Sequence, residues 1–147
     1  MAIKHAALGL AMLLATSCGV TADGPPVIVV DRTECSHCGM LISEPLFAAG
    51  YQAGNGEKRV FDDIGCLRNA VRAEHGPVRV WVHDAVKAEW IDGAEATFVS
   101  SPAIRTPMGG GVLAYRDPQD AARAAAKHDA RVIRYLATLL EMKESGS

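Results

Sequence analysis

Residues 61–82 read FDDIGCLRNAVRAEHGPVRVWV, and residues 115–135 read YRDPQDAARAAAKHDARVIRY. Both stretches leave an aromatic strand end and pass an aspartate that can cap a helix. Both then run through a helix ending near a histidine and finish on a strand that closes with an aromatic residue. The two align with a shift of one residue near the end, a weak internal repeat. In the first copy Ile64, Leu67 and Val71 recur at helical spacing behind Asp62 or Asp63, and Gly76-Pro77 stops the helix. In the second copy Asp117 caps and Pro118 takes the first helical position.

Each helix is preceded by two strand signals. LFAAGYQA (46–53) and KRVFD (58–62) flank the turn Gly54-Asn55-Gly56, and ATFV (96–99) and VLAY (112–115) flank a loop containing RTPMGGG (105–111). VRVWV (78–82) alternates and is β-branched and aromatic, so it follows the first helix as a strand. RVIRY (131–135) holds the same place in the second copy, and LATLLEM (136–142) reads as a last helical turn. VIVV (27–30) reads as an additional strand at the start. The expectation is an α+β fold made of two sequential ββαβ units, at about 31–83 and 88–136, packed as one small domain spanning 27–147.

The chain opens MAIKHAALGLAMLLATSCG, with Lys4 before an apolar stretch from Ala6 to Ala15 that is too short to span a bilayer. That is the pattern of an export signal, here residues 1–17. Cys18 behind Ala-Thr-Ser resembles a bacterial lipobox, although Ala15 stands where Leu is commoner. The expected mature chain starts at a lipidated Cys18 bearing diacylglycerol and palmitate-like acyl chains. Residues 18–26 form its tether, and the protein faces the periplasm. Gly19 in place of Asp after the lipid-bearing cysteine leans toward the outer membrane. Removing Lys4 takes the formal net charge from −2 to −3, a mildly acidic balance that gives no field for nucleic acid.

Four cysteines less Cys18 leave Cys35, Cys38 and Cys66. An odd number in an oxidising compartment argues against a pure disulfide framework. ECSHCGM (34–40) therefore has three readings: a redox or structural disulfide, half of a zinc site, or a seat for a soft metal. A thioredoxin-type site would start a helix, and Gly39-Met40 starts one poorly. Zinc would need a fourth ligand at suitable spacing, and His37, His75, His83 and His128 are not so spaced. Thiolate and thioether together select Cu(I), and Cys38-x-Met40 supplies both.

Met108, between Pro107 and three glycines, is an unusual place for a core residue and is a second candidate thioether. Met40 is equally well read as entering the core, and His37 as a solvated loop residue. Cys66 falls in the first helical turn, where the helix N-terminus lowers a thiol pKa and the neighbouring aspartates oppose that. It reads equally well as an inert, buried small residue. Trp81 and Trp90 read as core, and Asp62 and Asp63 as caps. The glycine triplet lacks the lysine and helix start of a phosphate loop.

CSHCGM, FDDIGC, EW-x-D at 89–92 and TPMGGGVLAY together resemble the nitrous oxide reductase accessory protein family, NosL, from about Asp31 to Tyr135. The resemblance implies a periplasmic lipoprotein that binds Cu(I) and helps deliver copper to nitrous oxide reductase in denitrification. It also implies two ββαβ units similar to organomercurial lyase. Carried across, the family's ligand positions fall on Cys38, Met40 and Met108, with His37 the most plausible fourth. Cys35 and Cys66 are then accessory thiols that the shared chemistry does not need. The expected function is a metallochaperone and not an enzyme. Its cargo is Cu(I), its partner nitrous oxide reductase or the assembly machinery of that enzyme, and its membrane contact the lipid at Cys18. The alternatives are a thiol–disulfide oxidoreductase using Cys35 and Cys38, or an organomercurial-lyase-like enzyme using Cys38, Cys66 and an aspartate.

Overall fold

The computed structural model describes residues 23–142. The export signal, Cys18 and most of the tether lie outside the described residues. Two antiparallel sheets and three helices make up a mixed α+β domain. In the first unit β1 (Ala49–Ala53) is central, with β2 (Lys58–Phe61) on one side and β3 (Val78–His83) on the other, and α1 (Ile64–Ala73) connects β2 to β3. In the second unit β5 (Thr97–Ser100) is central between β6 (Val112–Tyr115) and β7 (Arg131–Ile133), and α2 (Pro118–His128) connects β6 to β7. The second unit thus repeats the strand order of the first. β4 (Trp90–Asp92) adds a fourth strand to the edge of the first sheet at β3, and α3 (Leu136–Glu141) closes the chain.

The helix starts follow from local chemistry. Asp63 caps α1, its carboxylate accepting the Cys66 N–H at 3.0 Å, and Asp117 caps α2 by accepting the Gln119 N–H at 2.8 Å ahead of Pro118. Each cap satisfies an amide that the helix itself leaves without a partner. Asp62 is not a cap.

Several strand expectations change. VIVV is not a strand: its Val29 carbonyl accepts the N–H groups of Arg32 and Thr33, closing a turn that Asp31 completes at φ 59°. Among the described residues no strand pairs with it. The strand expected from 46 begins only at Ala49, because Pro45–Phe47 form a 3-10 turn. β7 ends at Ile133, and Trp90–Asp92, not read as a strand, gains that state from pairing with β3.

The larger buried cluster draws on both units. It joins Tyr51, Phe61, Leu67 and Val82 to Phe98, Val112, Ile133 and Leu139. Tyr51 and Phe61 meet with ring centroids 5.6 Å apart and tilted planes. A smaller cluster under α2 contains Val99, Ile104, Tyr115, Ala121 and Ala125. The sheets touch where Asp84 bridges to Ala114, with the Ala85 N–H donating to the Ala114 carbonyl at 2.8 Å. The buried Asp84 carboxylate accepts the amides of Lys87 at 3.2 Å and of Arg116 at 3.1 Å, so one acid fastens both units. Trp81 is buried, whereas Trp90 is half-buried and stacks on His83 at 3.8 Å. Among the described residues no helix is long and apolar enough to cross a membrane.

Candidate metal centre

The segment 35–40 is a closed knuckle. The Cys35 N–H donates to the Met40 carbonyl at 2.8 Å and the Gly39 N–H to the Cys35 carbonyl at 2.9 Å. Gly39 sits at φ 75°, a left-handed conformation that a side chain would oppose. The knuckle is pinned to β2, where the Ser36 N–H donates to the Val60 carbonyl at 2.8 Å. This seats Cys35 and Cys38 beside the residues that follow β2.

There the Sγ atoms of Cys35, Cys38 and Cys66 and a carboxylate oxygen of Asp62 all lie within 4.8 Å of one another. Cys35 and Cys66 are 3% and 4% exposed, Asp62 is 3% exposed, and Cys38 is half-buried. The Cys38 thiol faces both oxygens of Asp62 at 3.7 Å. All three are free thiols.

The electrostatics are unequal. Cys35 accepts a hydrogen bond from the Cys66 thiol and further ones from the amides of Cys38, Asp62 and His37, which together hold it at about 4 against the cost of burial. Cys66 is pushed up for the converse reason, its hydrogen being engaged by Cys35 in a buried setting. The helix N-terminus was expected to favour the Cys66 thiolate. On the sequence the neighbouring aspartates oppose that, and the low thiol of the pair is Cys35, which accepts the Cys66 hydrogen. Burial raises Cys38, and burial followed by contact with Cys35 pushes Asp62 up to about 6.

The loop 105–111 of the second unit packs against the start of α1, beside Cys66. Asp63 again acts as fastener. Its second oxygen accepts the Thr106 hydroxyl at 2.6 Å, the Met108 N–H at 3.2 Å and the Gly110 N–H at 3.1 Å, while its first holds the Cys66 N–H. The loop lies so close to α1 that a Cβ on Gly110 would fall 3.0 Å from the Gly65 Cα and 2.8 Å from the Asp63 carboxylate. Gly111, at φ 63°, would place a Cβ 2.5 Å from the Ser101 carbonyl oxygen. Gly110 therefore permits backbone-on-backbone contact between the units, and Gly111 a close turn within the second.

The result is a pocket of about 120 Å³ lined by His37, Asn69, Met108 and Cys66 together with Asp63, Gly65 and Gly110. His37 is exposed and Met108 is 45% exposed, so the pocket leads from the surface to a buried thiol. Met40 is 53% exposed and is not among the pocket's lining residues. The sequence favours Asp62 as a cap, and its place in the thiol cluster comes from the tertiary structure. The usable signal was the Asp-Asp pair itself, since one helix start uses one cap and leaves the other acid for a different task.

The sequence model of the NosL family matches residues 26–140. The chain belongs to the NosL family. It is 28% identical over 144 residues to a copper-binding lipoprotein NosL from Stutzerimonas stutzeri, covering 86% of this chain and 76% of the relative. A crystal structure of the copper chaperone NosL from Shewanella denitrificans superposes with a TM-score of 0.69 at 20% identity, over 84% of this chain and 99% of that one. That likeness shows the NosL fold. The thiol cluster lies within the matched span of this NosL chain.

Proposed function

We propose that this NosL protein is a lipid-anchored Cu(I) metallochaperone on the periplasmic side of a bacterial membrane. It would supply copper for the assembly of nitrous oxide reductase, and it is a binding protein and not an enzyme. Family membership supports the copper reading, as do relatives named a copper-binding lipoprotein and a copper chaperone. The observation that carries it in this chain is the gathering of three thiols beside a pocket bearing an exposed thioether. Soft donors of this kind favour Cu(I). In this reading Cys38 is the thiolate ligand, Met108 and Met40 are thioethers and His37 is an imidazole; Met108 and His37 line the pocket, and Met40 is exposed outside its lining. An exposed rim lets an acceptor's ligands displace these one at a time.

Zinc is the right competitor, because three thiols and a carboxylate also form a plausible zinc set. The reduced protein is expected to take one equivalent of Cu(I) from a chromophoric chelator and to keep it in the presence of excess Zn(II). Tight stoichiometric zinc binding without copper preference would overturn the assignment. Delivery is tested by anaerobic transfer from the loaded protein to copper-free nitrous oxide reductase, read as recovered copper absorption. No transfer above that from free Cu(I) would remove the recipient from the proposal.

The anchor has its own test. Mass spectrometry of membrane-extracted protein should show a mature chain beginning at Cys18 with a diacylglycerol adduct. A soluble form starting elsewhere would contradict it.

A further inference from the structure

The ligands proposed for copper hand-over lie at the surface, yet the densest group of sulfur atoms lies beneath them. We propose that the chain holds Cu(I) in two positions sharing Cys38: an outer one with Met108, Met40 and His37, and an inner all-thiolate seat made by Cys35, Cys38 and Cys66. This rests on the copper reading and adds a storage position to it.

Three independent observations lead there. Donors bound to one ion through sulfur bonds of about 2.3 Å can be no more than about 4.6 Å apart, and these four ligand atoms already lie within 4.8 Å of one another. A small shift closes the seat on an ion. Next, Cys35 and Cys66 are only 3% and 4% exposed and Cys38 is half-buried, so the seat stands largely out of water. Finally, the 120 Å³ pocket connects the exposed His37 and Met108 to Cys66, which gives an ion a path from rim to interior.

The step is ligand exchange without electron transfer. S–Cu bonds replace S–H bonds at whichever thiols are protonated, and the protons leave to water. Asp62 is a hard donor that Cu(I) does not need. Its oxygens, 3.7 Å from Cys38 Sγ, instead accept the thiol hydrogen when no ion is present. The inner seat removes the ion from competing thiols at the surface, and the thioether rim makes it available again.

The test uses Cu(I) alone, with affinity read by chelator competition and coordination by thiolate-to-copper ultraviolet absorption. The double variant Met40→Ala/Met108→Ala removes the two exposed thioethers among the described residues, and their exposure means that the fold does not depend on them. It should lose about tenfold in affinity yet still take one equivalent with its thiolate absorption intact. Adding Cys66→Ser should cost about a further hundredfold and diminish that absorption. Thermal unfolding of the metal-free variants shows whether Cys66→Ser is folded; if it is not, the double variant decides alone. Loss of stoichiometric binding in the double variant, with wild-type binding intact, overturns the inner seat and leaves the chaperone reading standing. So does undiminished binding after the Cys66 change. A wild-type protein that does not prefer copper overturns the chaperone reading itself.

Discussion

Asp63→Ala is expected to lower the free energy of unfolding by about 3–5 kcal/mol and to release the loop 105–111 from the first unit. The residue is 1% exposed and its two oxygens accept four hydrogen bonds, from Cys66, Thr106, Met108 and Gly110. Alanine would leave those four donors without their acceptor in a half-buried setting, and an unsatisfied donor costs about 1–3 kcal/mol. Water entering the adjoining pocket recovers part of that, so the total is well below the sum. Asp63→Asn should be milder, since one amide oxygen still accepts. Urea unfolding measures the loss, and hydrogen exchange localises it to the Met108 and Gly110 amides. If stability stays within about 1 kcal/mol of wild type and both amides keep their protection, Asp63 is not the fastener the geometry indicates. Because the same acid places Met108 over Cys66, copper hand-over should suffer in the variant even where it remains folded.

Cys38→Ser should reduce Cu(I) affinity by about a thousandfold, near 4 kcal/mol, more than any other single change at the site. Cys38 is the one thiol common to the outer and inner positions, and a hydroxyl is a poor donor to a soft ion. Cys66→Ser and Cys35→Ser should each do less, since either leaves Cys38 with the rim. Met108→Ala should cost about tenfold, because it removes one ligand from the rim and none from the thiol cluster. Chelator competition on these four variants gives the ranking. A thiol–disulfide enzyme would rank them differently: Cys35→Ser and Cys38→Ser would be equally damaging to thiol exchange, and Met108→Ala silent. Equal damage at the two cysteines together with a silent Met108→Ala in the copper assay would sink the shared-ligand account.

What the sequence determined by itself was whatever depends on a few neighbouring residues. The caps at Asp63 and Asp117, Pro118 at the first helical position, and the paired strand–strand–helix–strand order are signals carried within one helical turn or one strand. The family resemblance was legible for a related reason, since CSHCGM and TPMGGGVLAY are contiguous. VIVV and Trp90–Asp92 went wrong in opposite directions because a strand needs a partner. The first apolar run has none among the described residues, and the second acquires one from β3.

Only the tertiary structure decided the site. Cys38 and Cys66 lie far apart in sequence, and nothing local brings their sulfur atoms together. The pinning of the knuckle to β2 and the turn from β2 into α1 do so. The same contact sets the acidities of the pair, because Cys35 accepts the Cys66 hydrogen and burial adds to the rise at Cys66. It gave Asp62 a place in the cluster and Asp63 a second set of donors from the other unit. The glycine triplet became intelligible only with its neighbour in place: Gly110 is small because the Gly65 backbone is 3.0 Å from where its Cβ would stand. Caps and periodicity act through backbone geometry over a few ångströms of chain. A metal seat is built by side chains converging from separate elements, and that convergence exists only once the units have packed.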